Sequence, residues 1–404
     1  MSQKELKKYF EKFLSNQSIF SNKSVLQSSY VPETVLHREE QMAQIAEILG
    51  PILRTEKPSN LFIYGKTGTG KTVTIKYLSS MLKNLAKEKE VSLKIIYLNC
   101  KLKKIADTEY RLVAQLIRQF GKSVPSTGLP TDEIYNIFYR LVDHTKILLL
   151  IVLDEVDQLV KKAGDEILYN LTRINTELTN SQICFVGISN SLVFTENMDP
   201  RVKSSLNEEE VVFPPYNAIQ IQDILRKRAK DAFHPGTMGQ GVLEKCAAYA
   251  AREHGDARRA LELLRVAGEI VERRGESTLA LTHIDLAEEK IECDSILEVI
   301  KTQPKQSQAA LYGLLLLLNN SNKIFTGDVY EKYRETCAKV DLRPLTQRRI
   351  SDILAELDML GIINANVISK GRHGRMREMS LGFPANMIPK VESILSRELG
   401  VSFK

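Results

Sequence analysis

The sequence predicts an α/β fold, with a parallel sheet covered by helices on both faces, followed by an all-helical region and a small C-terminal module of helices and a hairpin. Three observations predict it. Between Pro58 and Pro215, short apolar runs alternate with stretches of helical period. After Pro214-Pro215 only amphipathic helical patterns remain, as far as about Glu292. Beyond Thr302-Gln303-Pro304, helices lead into two short strand-like runs, Ile362 to Ile368 and Met376 to Leu381. Apolar runs without polar alternation indicate strands buried on both faces, and helices between them supply the crossovers a parallel sheet needs.

Residues 1 to about 30 are polar and of mixed charge, which predicts a short helix and a loop. The expected strands are Leu61 to Tyr64, Lys94 to Asn99, Ile147 to Leu153, Ile183 to Ser189 and Val211 to Phe213. Leu78, Leu82 and Leu85 show the helical spacing of the first intervening segment. The resulting spans are an extension at 1–30, a sheet domain at 31–216, a helical domain at 217–295 and a C-terminal domain at 300–404.

Composition excludes several classes. The chain has 404 residues with 43% hydrophobic content, enough for more than one core. No run approaches the ~20 apolar residues of a membrane helix. The charged first residues lack the apolar core of a secretory signal. Cys100, Cys184, Cys246, Cys293 and Cys337 are widely spaced, which predicts core residues of a reducing compartment rather than a zinc or disulfide framework. These features predict a soluble, cytoplasmic protein. Net charge is +6, and from Ile296 to Lys404 there are 16 Lys and Arg against 11 Asp and Glu. That asymmetry points the C-terminal module towards a polyanion.

Gly65-Lys66-Thr67-Gly68-Thr69-Gly70-Lys71-Thr72 follows an apolar strand and opens a helix, the context of a phosphate-binding loop. Its glycines let successive N–H groups face phosphates. Lys71 is placed for the β- and γ-phosphates and Thr72 for Mg²⁺, and the helix N-terminus favours an anion. Further on, seven apolar residues from Ile147 end in Asp154-Glu155-Val156-Asp157. Carboxylates at the C-terminal tip of such a strand meet the ligand, with Asp154 in the Mg²⁺ shell and Glu155 activating water. Asn190 stands at the tip of the next strand, and Arg258 lies in the first turn of a later helix. Two arginines there oppose the helix dipole, which favours a functional reason. Together these residues imply binding and hydrolysis of ATP, with ADP and Mg²⁺ in the same site.

From Pro344 to Gly361, Ile350, Ile353, Leu354 and Leu357 share one helical face, and Gly361 is a stop signal. Thr346, Gln347, Arg348 and Arg349 occupy the first turn. In a winged helix this part of the second helix meets base edges in the major groove. Ser369 to Arg375 forms a basic, glycine-bearing wing in which Arg372 and Arg375 suit a groove or phosphates.

At these residues the chain resembles the AAA+ ATPases, and among them archaeal replication initiators of the origin-recognition-complex and cell-division-cycle type. The resemblance spans about Val31 to Leu399 and includes Val35 to Gln41, Asp199 to Ser205, Phe213 to Tyr216 and Gly255 to Leu261. It implies an AAA+ domain, a helical lid and a C-terminal winged helix. It places Val35 and Arg38 near the adenine and adds Tyr216 and Arg228 to the nucleotide lining. Asn190 becomes the first sensor and Arg258 the second. A helical insertion that touches DNA is implied near Asp107 to Thr131. Many AAA+ chains carry Ser-Arg where this one has Ser204-Ser205, leaving Arg201 as the candidate arginine finger. The implied function is initiation at double-stranded origin DNA in the nucleoid. Expected partners are the MCM helicase, another copy or a paralogue on DNA, and no membrane. The alternatives are an ATP-dependent transcriptional or signalling regulator and a clamp-loader subunit.

Overall fold

The computed structural model describes residues 18–101, 108–125, 128–191, 198–206, 208–318, 323–369 and 375–401. Its larger sheet contains β1 (Asn60–Tyr64), β2 (Leu93–Asn99), β3 (Leu148–Asp154), β4 (Gln182–Ser189) and β5 (Glu208–Val212), in the order β2-β3-β4-β1-β5. All neighbouring pairs are parallel. All of β3 is buried, and alternate residues explain why. Leu149, Ile151 and Leu153 enter one core, with Leu112, Ile117 and Phe138. Leu148, Leu150 and Val152 enter the opposite core, with Ile45, Ile52 and Ile75. A strand with two dry faces must be apolar throughout, so only its tip is left for Asp154.

The flanking helices are α1 (Glu39–Leu49), α2 (Lys71–Glu88), α3 (Glu109–Arg118), α4 (Thr131–His144), α5 (Val156–Ala163), α6 (Glu166–Arg173) and α7 (Pro200–Leu206). Between β2 and β3, α3 occupies the region of the expected insertion, and its N-cap Thr108 accepts the Arg111 N–H. The lid helices are α8 (Ala218–Ala232), α9 (Val242–Arg252) and α10 (Ala257–Arg274). A capping box between Asn217 and Gln220 starts α8 directly after the Pro214-Pro215 break.

Most of the segment expected as a short helix and a loop, residues 1–17, lies outside the described residues. From Ser18 it is a strap whose one regular piece is a 3-10 turn at Lys23–Leu26. Ile19, Phe20, Val25 and Leu26 are buried, and the Phe20 and Phe233 rings lie 4.7 Å apart. Two apolar pairs in a polar stretch are enough to anchor it to the lid.

The chain divides into two compact units, Met1–Ile284 and Asp285–Lys404. The division falls inside α11 (Leu281–Thr302). The second unit contains α12 (Lys305–Leu318), β6 (Ile324–Phe325), α13 (Thr326–Lys339), α14 (Gln347–Met359), β7 (Ile363–Ser369), β8 (Arg375–Leu381) and α15 (Ile388–Leu399). Its antiparallel sheet has the order β6-β8-β7, so a short strand joins the two expected. Its core gathers Leu311, Leu314, Val329, Tyr333, Ile350, Leu354 and Leu357. All five cysteines are buried and free. Among the described residues, no helix is long and apolar enough to cross a membrane.

Candidate nucleotide-binding site and winged helix

The phosphate loop leaves β1 and enters α2 through Gly68 (φ 71°) and Gly70 (φ 90°), conformations that favour glycine. Close packing adds a second constraint. A Cβ on Gly68 would collide with Asp256 of the lid, and one on Gly70 would lie 2.6 Å from the Tyr216 hydroxyl. Lys71 donates to the Gly65 and Lys66 carbonyls (2.6 and 2.7 Å) and to Asn190 Oδ1 (2.9 Å). Burial, and then the nearby Arg258 cation, holds its ammonium down at about 8.

The acidic tip of β3 faces this loop. Asp154 Oδ2 accepts from Thr72 Oγ1 at 2.9 Å and from the Tyr97 hydroxyl, while Oδ1 accepts the Glu155 N–H at 3.0 Å. Burial and the Asp154 carboxylate push the Tyr97 phenol up, so it acts as a donor. Glu155 has φ 56°, a strained setting for a non-glycine residue of the kind that collects at reactive sites. Its carboxylate lies 3.8 Å from Lys101 Nζ. Asp157 is buried behind it, 3.5 Å from both the Asn190 N–H and the Ser189 hydroxyl.

Gly68, Thr69, Gly70, Lys71, Thr72, Asp154, Glu155, Asn190 and Arg258 therefore line one small polar cleft. Gly68, Gly70, Thr72 and Arg258 also line a neighbouring chamber of roughly 420 Å³. Val35, Tyr216, Arg228 and Leu261 form part of its wall. Arg228 lies with its guanidinium 4.5 Å from the Tyr30 ring centroid. The arrangement suits a molecule with a polyanionic end and a flat apolar end. The oxygens of Thr72 and Asp154 form a hard donor set that fits a divalent cation.

Asp256 resolves the dipole conflict at the start of α10. Its side chain accepts the N–H groups of Arg258 and Arg259, placing a negative charge where two arginines would otherwise be unfavourable. The Ala257 N–H also donates to the Gly68 carbonyl at 3.3 Å, which seats the lid on the loop.

One residue expected near the adenine faces another way. Arg38 does not line the chamber: its guanidinium donates to the carbonyls of Thr69 (2.9 Å), His37 (3.0 Å) and Pro214 (2.6 Å) and lies 3.7 Å from the Tyr216 ring centroid. It braces the phosphate loop from behind, because a buried guanidinium takes the carbonyls that satisfy it. Thr67 is exposed at the loop crest and lines neither the cleft nor the chamber. Arg201 is exposed and paired with Asp199 at 3.1 Å. Sequence reasoning missed Tyr97, Asp256 and the chamber walls from Val25 and Tyr30. The signal for Asp256 was an N-cap residue type ahead of a helix; the strap carried none beyond its apolar pairs.

In the winged helix, Thr346 caps α14, its hydroxyl accepting the Arg349 N–H at 3.4 Å. Ile350, Ile353, Leu354 and Leu357 form the buried face. Arg348 and Arg349 are exposed, Arg349 lying 3.8 Å from Asp352 and 4.0 Å from Glu356. Arg375 pairs with Ser369 at the loop end of the β7–β8 hairpin. Arg372 lies outside the described residues.

Comparison with known proteins finds three family models along the chain. An AAA domain model matches residues 54–193, a Cdc6 AAA+ ATPase-type lid domain model matches 222–289, and a CDC6 C-terminal winged helix domain model matches 298–391. The chain is 54% identical over 392 residues to an ORC1-type DNA replication protein of Pyrococcus furiosus, covering 96% of this chain and 93% of that protein. Identity is 50% over 385 residues to ORC1-type DNA replication protein 1 of Methanosarcina mazei, covering 95% and 92%. The solved structure of the Aeropyrum pernix Orc1 protein in complex with DNA superposes with a TM-score of 0.80 at 44% identity, covering 95% of this chain and 98% of that one. The A. pernix ORC2 protein, solved as ADPNP–ADP complexes, shares the fold at 21% identity and a TM-score of 0.60. The chain belongs to the ORC1-type DNA replication protein family, built as an AAA+ ATPase domain, a lid and a C-terminal winged helix.

Proposed function

We propose that this chain is an ATP-dependent replication initiator that binds double-stranded origin DNA and helps recruit the MCM helicase. The observation that carries the nucleotide half is the polar cleft opening beside the apolar chamber, with Arg258 of the lid lining both. ATP places its phosphates along Gly65 to Thr72 and its base in the chamber. Thr72 and Asp154 would hold Mg²⁺, which would supply charge neutralisation at the phosphates. Glu155 orients and deprotonates the attacking water, and Asn190 and Arg258 report the γ-phosphate to the lid. Hydrolysis is slow and resets the lid rather than driving metabolism. Arg201, tied to Asp199, is the candidate finger for a neighbouring copy on DNA, and Ser204-Ser205 replaces the usual Ser-Arg.

The DNA half rests on the exposed first turn of α14 and the basic wing, with the A. pernix relative solved on DNA in support. The protein works in the cytoplasm at the nucleoid. Nuclease footprinting on the organism's own genomic DNA, with ATP and with ADP, tests the reading. Protection of repeats at a replication origin that differs between the nucleotides is the expected result. Protection confined to promoters would make the protein a regulator instead.

A further inference from the structure

Asp154 is buried, and a buried carboxylate keeps one orientation only when its lone pairs are taken. Three donors take them. Thr72 and the Glu155 N–H already belong to the site, but the third, the Tyr97 hydroxyl, comes from β2 and has no other part in it. An aliphatic side chain would fill this position on the strand without donating. The Tyr97 ring is itself held, with Lys76 Nζ of α2 lying 4.7 Å from its centroid, one helical turn beyond Thr72. One side chain on β2 thus touches both the strand carrying Asp154 and the helix carrying Thr72.

We propose that Tyr97 is a positioning residue for the cation site, its hydroxyl fixing the rotation of the Asp154 carboxylate so that Oδ2 faces the Thr72 hydroxyl. The terminal torsion of an aspartate is soft, so without an outer partner the carboxylate samples orientations that no longer share a cation with Thr72. Outer partners of ligand carboxylates change metal affinity by about 10–100-fold when removed. This inference rests on the reading of Thr72 and Asp154 as the Mg²⁺ ligands.

The test is a MgCl₂ titration of the full chain, reading ADP affinity by calorimetry, for wild type and Tyr97→Phe. The substitution keeps the ring and removes only the donor. Unchanged ADP affinity without Mg²⁺, with the half-saturating MgCl₂ concentration raised about tenfold or more, is the expected result. A Mg²⁺ titration superimposable on wild type overturns the proposal. So does an equal loss of ADP affinity with and without Mg²⁺, which marks a merely structural residue. If Tyr97→Phe does not fold, Tyr97→Leu, which also lacks the donor, is read on the same two axes. A wild type whose ADP affinity ignores Mg²⁺ contradicts the ligand assignment of Thr72 and Asp154 itself.

Discussion

Arginines and lysines occupy two contrasting settings in this chain. At the phosphate loop two cations are enclosed, although Arg258 of the lid, which lines the same cleft, is exposed: Arg38 is 2% exposed and Lys71 5%, each with three hydrogen bonds to named acceptors. On α14 the arginines are open: the Arg349 side chain is 56% exposed, and its nearest carboxylates, at 3.8 and 4.0 Å, belong to its own helix. An enclosed cation has lost its water and persists only where fixed carbonyls replace it. An open cation with a distant surface partner gains about 1 kcal/mol at most from it. It can exchange that partner for a phosphate or a base edge at little cost. Enclosed cations therefore set the shape of a site, and open ones are available for a ligand still to arrive.

The largest effect is expected where the enclosed site does chemistry. Glu155→Gln should keep ATP and lose about 10²–10⁴-fold in turnover, since on the proposed reading only the water-activating carboxylate is gone. Hydrolysis at the wild-type rate would remove Glu155 from that role. Arg38→Ala should come next, because it strips the Thr69 and Pro214 carbonyls of their donor. A loss of about 2–4 kcal/mol in denaturant unfolding is expected. A loss below about 1 kcal/mol would place Arg38 with the open cations.

Smaller effects are expected from the arginines that the sequence assigns to DNA. Arg348→Ala and Arg349→Ala should each narrow the gap between cognate and random DNA by about 1–3 kcal/mol, if each reads a guanine edge. Equal losses on both DNAs would show that they meet only phosphates. Arg372→Ala and Arg375→Ala should weaken both DNAs alike and flatten the log–log salt dependence by about 0.9 for each phosphate no longer neutralised. If all four variants bind as wild type does, the C-terminal unit is a protein-contact domain.

The same contrast explains what the sequence disclosed. The phosphate loop and the Asp154-Glu155 tip are contiguous in the chain, and their chemistry requires particular residue types at fixed spacing, so both were legible. Four strands of the parallel sheet were legible as apolar runs, β3 most clearly because both its faces are dry, whereas β5 opens on three glutamates and shares only Val211 and Val212 with the run expected there. The chamber was not legible from pattern. Its walls come from the strap (Val25 and Tyr30), from Val35 and from two lid helices, brought together only by folding. Tyr97 was hidden because a tyrosine in a strand is usual for packing alone. Arg38 shows the limit of resemblance: it pointed to the right neighbourhood, but the guanidinium faces backbone carbonyls rather than the chamber. β6, two residues long, was too short to carry a period.

The division into enclosed and open cations is tested most directly by ATP affinity, measured calorimetrically in one buffer for wild type, Lys71→Ala and the double variant Arg348→Ala/Arg349→Ala. On the proposed reading Lys71 supplies the charge opposite the β- and γ-phosphates, so its removal should abolish binding in a folded protein, while the α14 double variant should bind ATP as wild type does. Unchanged ATP affinity in folded Lys71→Ala would contradict the assignment of the cleft.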